Sequence, residues 1–303
     1  MKEKYEIIEK KGIGHPDTIA DNLAEKLGKE LEQLYIKVFG SIQHYNVDKV
    51  LVSCGKVNYN KKKMVKPVKI VFSGNATKVS GISVLLKKVV KKVLSLEISR
   101  GLKYKIYNHI AYGSPDLTTN FNNGRCNDTS FAVGFPLTGN ERLVLKISNF
   151  LEEEAYSNFD IGTDHKVMFI NGDVFIAIAL RTSNRELYLG TKRYIKNVLK
   201  ANFKIKKVFV NTGDTVNSIF NTVTGTSLEQ GDAGMTGRGN RRNGLITPLK
   251  PMTMEAYHGK NNVTHIGRIY QDEAQKIADK LNKKVLLVNY IGNAIDKYKK
   301  FII

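Results

Sequence analysis

Residues 162–182 read GTDHKVMFINGDVFIAIALRT, and this stretch decides the fold. Two apolar runs of strand length meet at Asn171-Gly172, the dipeptide that suits a two-residue hairpin turn because both of its positions take positive φ. The pair predicts strands over 165–170 and 173–182. Working outward, a strand at 129–135 and a helix at 137–155 come before it, and a helix at 184–201 and a strand at 206–212 come after. The order β-α-β-β-α-β recurs upstream. There a strand within 5–17 leads to a helix reaching residue 38 with Ile19, Leu23, Leu27, Leu31 and Leu34 on one face. Strands at 42–57 and 64–75 around NYNKKK, a helix at 81–95 and a strand at 103–112 follow. A third, partial round has a strand at 218–224, a long loop, a helix at 262–281 and a strand at 284–291. We expect an α+β protein of three pseudosymmetric β-α-β-β-α-β units over 1–122, 123–213 and 214–303, each a mixed sheet with helices on one face.

Composition narrows the class. A chain of 303 residues with 42% hydrophobic and 25% charged residues buries one large core or two to three small ones. Cys54 and Cys126 lie far apart and in no CxxC spacing, which argues against a disulfide framework or structural zinc and for a reducing, cytoplasmic setting. The most apolar run, 174–180, is much shorter than the roughly 20 residues of a membrane helix, so no membrane partner is expected. With 48 basic and 28 acidic residues the formal charge is +20, which favours polyanionic ligands. The basic runs lack aromatic interleaving and any RRM, KH, zinc-finger or helix-turn-helix signature, so a nucleic-acid binder remains only the alternative reading.

The loop in the third round, 224–262, carries the chemistry. Six glycines at 225, 231, 234, 237, 239 and 244 stand among Arg238, Arg241 and Arg242, with Asp232 before them and Lys250 and Lys260 after. Glycine lets amides approach a ligand, and guanidinium forks match phosphate oxygens, so the loop reads as a polyphosphate clamp. Walker, Rossmann and kinase motifs are absent. At the other end, GHPD places His15 and Asp17 at a helix mouth that favours anions. Gly113, Ser114 and Asp116 read as a turn, as does Asp128 after Asn127, while Asp164 and Lys166 sit at alternate strand positions. The run 174–180 is apolar on both faces, which asks for a second layer over the sheet.

GIGHPDTIAD (12–21), GDAGMTGRGNRRNGLITP (231–248), PMTMEA (251–256) and HGKNNVTHIG (258–267) together resemble the methionine adenosyltransferase, or S-adenosylmethionine synthetase, family in its archaeal-type branch. The resemblance implies a threefold pseudosymmetric fold. It also implies a reaction in which the sulfur of L-methionine attacks C5′ of ATP and the departing triphosphate is cleaved to pyrophosphate and phosphate. Carried over block by block, His15 donates to O5′ and Asp17 holds Mg²⁺. Lys166, Arg238 and Lys260 grip phosphates as catalytic residues. Gly113, Ser114, Asp116, Asp164 and Asp232 face the nucleotide, and Asp128, Asp232 and His265 face methionine. Ala233 stands where the branch usually has a second Asp, and the bacterial potassium-binding glutamate has no counterpart, so K⁺ is left open. The partners implied are ATP, L-methionine and a second copy of the chain, in a homodimer with shared active sites. A degenerate nucleotide-binding paralogue is the rival within the family.

Overall fold

The computed structural model describes residues 5–97, 101–182, 184–238 and 242–303. The first segment gives β1 (Ile7–Lys11), α1 (Pro16–Phe39), β2 (Tyr45–Ser53), β3 (Lys56–Asn58), β4 (Lys63–Lys66), β5 (Val68–Ala76), α2 (Ile82–Glu97), β6 (Tyr104–Ala111) and α3 (Pro115–Asn122). The second gives β7 (Ser130–Gly134), α4 (Gly139–Ser157), β8 (Ile161–Ile170), β9 (Asp173–Leu180), α5 (Arg185–Phe203) and β10 (Lys207–Val210). The third gives β11 (Ala233–Met235), β12 (Leu245–Ile246), α6 (Ile266–Leu281), β13 (Val285–Asn289) and β14 (Lys299–Ile302).

Among the described residues three sheets carry five of the six α-helices, all but α3, with a small β3-β4 hairpin beside them. The order β10-β9-β8-β1-β12 is mixed and backs onto α4 and α5. The order β11-β2-β5-β6 is also mixed and backs onto α1 and α2. The order β14-β13-β7 is antiparallel and backs onto α6. Each has its own apolar core: Ile19, Leu23, Leu27 and Leu31 of α1 against Val50, Val52 and Phe72; Val144, Ile147 and Leu151 of α4 against Val167 and Ile176; Tyr270 and Ala274 of α6 against Ala132 and Leu287.

The units trade strands. β1 leaves the first segment to pair with β8, β7 leaves the second to pair with β13, and β11 and β12 of the clamp loop join the first and second sheets. The pseudosymmetry persists in side-chain detail. Asn211 Nδ2 donates to Tyr188 Oη at 2.9 Å in one unit, and Asn289 Nδ2 donates to Tyr270 Oη at 2.8 Å in another. Asn171 and Gly172 take φ of 48° and 102°, as the hairpin requires.

Three details differ from the sequence expectation. Residues 218–224 form no strand beyond an isolated bridge from Asn221 to Leu180, because polar Ser218, Asn221 and Thr222 interrupt the apolar alternation. The GSPD turn opens α3, for which Pro115 supplies a preset φ at the first helical position. The last helix starts at Ile266 rather than 262, since His265 caps it.

Candidate active site

The sheet exchange brings the predicted residues into two clusters. The first surrounds the mouth of α1. His15 is its N-cap, and its Nδ1 accepts the Asp17 N–H at 3.2 Å. A ring nitrogen used as an acceptor carries no proton, so the neutral imidazole must hold its hydrogen on Nε2. Burial pushes His15 down to about 4, only partly offset by Asp17, so the ring is neutral at physiological pH. Lys11, Lys166 and Asp232 act on the same ring.

Asp17 lies beneath it. Its Oδ2 is 2.8 Å from Lys11 Nζ and 3.7 Å from Arg238 Nε, and its Oδ1 accepts the Met235 N–H at 2.9 Å. That last bond exists because β11 is threaded against α1. A Cβ on Gly234 would lie 2.0 Å from the Pro16 carbonyl carbon, so only glycine passes. Gly14 is equally tight against β8, where an added Cβ would meet Thr163 Oγ1 at 2.1 Å.

Ser227 joins the remaining two acids. Its N–H and hydroxyl reach Asp164 Oδ2 at 2.7 and 2.6 Å, and the same Oγ is 2.9 Å from Asp232 Oδ2. One hydroxyl hydrogen cannot serve both carboxylates, so the bridge is complete when one of them is protonated. Asp164 is the candidate: burial raises it to about 7, with the Asp232 charge acting in the same direction. Lys166 is 3.6 Å from Glu9 and borders a cavity of about 480 Å³ on the outer face of the five-stranded sheet, with Met168, Phe175 and Phe220 in its wall.

The second cluster lies further along α1. Gly259 packs on Ala24, seven residues or about 10 Å along α1 from Asp17. Next to it Lys260 is 1% exposed and held between Asp48 at 3.5 Å and Glu255 at 2.5 Å. Asp128, Glu255 and His265 bring a carboxylate oxygen or ring nitrogen each within 4.8 Å of one another. His265 repeats the device of His15: it caps α6, and its Nδ1 accepts the Gly267 N–H at 3.2 Å. Burial, with Lys260, drives it well below the ordinary histidine value. Gly113 backs onto His44, whose Nδ1 an added Cβ would meet at 2.9 Å, and Asp116 stands exposed in the first turn of α3 with Ser114 as its N-cap. His44 acts on both Asp116 and His265, so it links the GSPD turn to this cluster.

Not all of the clamp loop is used for a ligand. Arg242 pairs with Asp272 at 2.5 Å, and Lys250 with the fully buried Glu141 at 2.9 Å, a structural contact at the start of α4. Gly239 and Arg241 lie outside the described residues. Sequence reasoning missed Lys11, His44, Asp48, Ser227 and Glu255. Glu255 stands inside PMTMEA and Ser227 just before GDAG, but nothing in their spacing marks them.

Both Asp17 oxygens already accept one hydrogen bond, and each keeps a second lone pair. Together with the exposed Asp232, whose charge also acts on His15, this fits a divalent cation that also binds phosphate oxygens, which needs only one or two protein carboxylates.

The model of the family described as S-adenosylmethionine synthetase (AdoMet synthetase) matches residues 1–300. A probable S-adenosylmethionine synthase of Aquifex aeolicus is 38% identical over 98% of this chain and 84% of its own length. An S-adenosylmethionine synthase of Saccharolobus islandicus is 37% identical over 97% of this chain and 84% of its own length. A solved structure described as an unusual S-adenosylmethionine synthetase from Campylobacter jejuni shares the fold with a TM-score of 0.68 at 14% identity, over 95% of this chain and 78% of that one. Fold and sequence are thus of one lineage: the chain belongs to the S-adenosylmethionine synthetase family.

Proposed function

We propose that this chain runs its family's reaction, the formation of S-adenosylmethionine from ATP and L-methionine with cleavage of the triphosphate, in sites built from the first cluster of one copy and the second cluster of another. The observation that carries the reading is His15. Its Nδ1 is spent on the helix cap, so its Nε2 carries the N–H, and the cations Lys11, Lys166 and Arg238 stand around the ring and Asp17.

The chemistry asks for little else. A thioether has no proton to lose, so attack on C5′ needs no general base. The sulfur lone pair forms the S–C5′ bond, the C5′–O5′ bond breaks, and the electron pair leaves on the triphosphate. Charge growing on O5′ is stabilised by the His15 N–H, and charge spread over the phosphates by the buried Lys11 together with the more exposed Lys166 and Arg238. Asp164 and Ser227 fix Asp232 beside the nucleotide. Mg²⁺ would be held by Asp17 and would neutralise phosphate oxygens. Asp128 and His265 face methionine, and Lys260 reaches the phosphates from the second cluster.

One observation supports the dimer: each outer sheet face carries an apolar row where helices leave it open. Met235, Leu51, Val71 and Tyr107 stand directly opposite one another across β11-β2-β5-β6, and Met168, Phe175 and Phe209 do so across β8-β9-β10. Light scattering combined with activity on dilution tests this. A fully active monomer of 34.0 kDa would refute the shared site.

A further inference from the structure

The three-residue group Asp128, Glu255 and His265 has the spacing of a metal site, but its histidine is wrong for one. With Nδ1 accepting the Gly267 N–H, Nε2 must carry the hydrogen, so neither nitrogen offers a free lone pair unless the helix cap is broken. What the cluster does offer is negative charge around a buried donor. Asp48, Asp128 and Glu255 face two ammonium groups, Lys260 and the exposed Lys49. Buried polar atoms nearby want partners. Asn127 Oδ1 and both ring nitrogens of His44 are buried without a hydrogen bond. A group with a positive end for the carboxylates and a negative end for the His265 N–H matches this set, and an α-amino acid is such a group.

One contact makes the arrangement more than a pocket. The Glu255 carboxylate that faces Asp128 and His265 is the one that holds Lys260. An arriving ammonium must therefore compete with Lys260 for it. Resting on the proposed reaction, in which Lys260 serves the phosphates, we infer that Glu255 is a positioning residue that couples the two substrates: the amino group of methionine displaces the Lys260 ammonium from Glu255 and so releases it toward the triphosphate. Gly267 leaves room for the exchange, since its missing Cβ would stand 2.5 Å from Glu255 Cβ and 3.2 Å from Lys260 Nζ.

Reciprocity makes this measurable as a coupling of binding affinities, for which factors of about 5 to 150 are usual. Tripolyphosphate with Mg²⁺ is titrated calorimetrically into the full-length protein, with and without saturating L-methionine. Methionine should tighten tripolyphosphate by at least about 5-fold in the wild type, whereas 4-(methylsulfanyl)butanoate, which lacks the amino group, should not. In Glu255→Gln, isosteric and expected to fold, tripolyphosphate alone should bind more tightly and the methionine effect should shrink to within about 2-fold. Full coupling in Glu255→Gln, or coupling induced by the des-amino analogue, overturns the inference while the reaction reading stands. Failure of the wild type to bind either ligand overturns the reaction reading as well.

Discussion

His15→Asn separates the two jobs of this histidine. Asparagine is among the best N-cap residues, so its Oδ1 can take over the Asp17 N–H and keep the start of α1 within about 0.5 kcal/mol of the wild type, where alanine would cost about 1. What is lost is the longer reach of the Nε2–H. A donor aimed at charge that develops only in the transition state is worth about 2.7 to 4 kcal/mol, so single-turnover rates should fall by about 10² to 10³ while the KM for ATP moves little. The protonation state gives a second readout. Because burial holds His15 near 4, the imidazole stays neutral and the wild-type rate should show no His15 titration between pH 8 and about 5, whereas an imidazolium donor would give a break near 6.5. A His15→Asn rate within a few-fold of wild type would refute the reasoning, and so would a wild-type break near 6.5 that the variant abolishes.

The same burial makes the fold acid-sensitive. Between pH 6.5 and about 4 the unfolded chain binds protons at His15 and His165 that the native one does not, so stability is held above 6.5 and lost as pH falls through that window; from pH 7 to 5 each should cost about 2 kcal/mol in denaturant titrations at fixed protein concentration. Asp164, raised to about 7, works in the opposite sense over the same range, so the titration is made in Asp164→Asn, where a flat stability from pH 7 to 5 would contradict the neutral-histidine assignments. Asp17→Asn should weaken the apparent Mg²⁺ affinity and be partly rescued by excess metal, and an unchanged metal titration curve would remove Asp17 as a ligand. Leu51→Lys, in the middle of the apolar row Met235, Leu51, Val71 and Tyr107, should abolish dimer and activity together in light-scattering and rate measurements, since an isologous interface of this kind should bury above about 2,000 Å². A Leu51→Lys protein that stays dimeric and active would show the row faces solvent.

Much of the fold was legible because it is local. Asn171-Gly172 and the leucine and isoleucine spacing of α1 each encode an element in a few residues, and the repetition of those elements announces three units. Strand exchange was not legible: β1 pairs with β8 and β7 with β13 across well over a hundred residues, and apolar alternation names a strand but not its neighbour. At the site, GHPD and the arginine-bearing loop stood out because glycine and charge coincide there. Ser227 and Glu255 did not, since a serine and a glutamate in loops have no local signature; they matter through contacts with Asp164, Asp232 and Lys260 that only the folded chain creates. Lys250 shows the opposite failure, a basic residue in the right loop that is spent on the buried Glu141.

The most direct measurement is the product itself. Purified protein given ATP, L-methionine and Mg²⁺ should form S-adenosylmethionine with one phosphate and one pyrophosphate released per product, and should release essentially no phosphate when methionine is omitted. Phosphate release at the same rate without methionine, or ATP binding with no S-adenosylmethionine formed, would contradict the account.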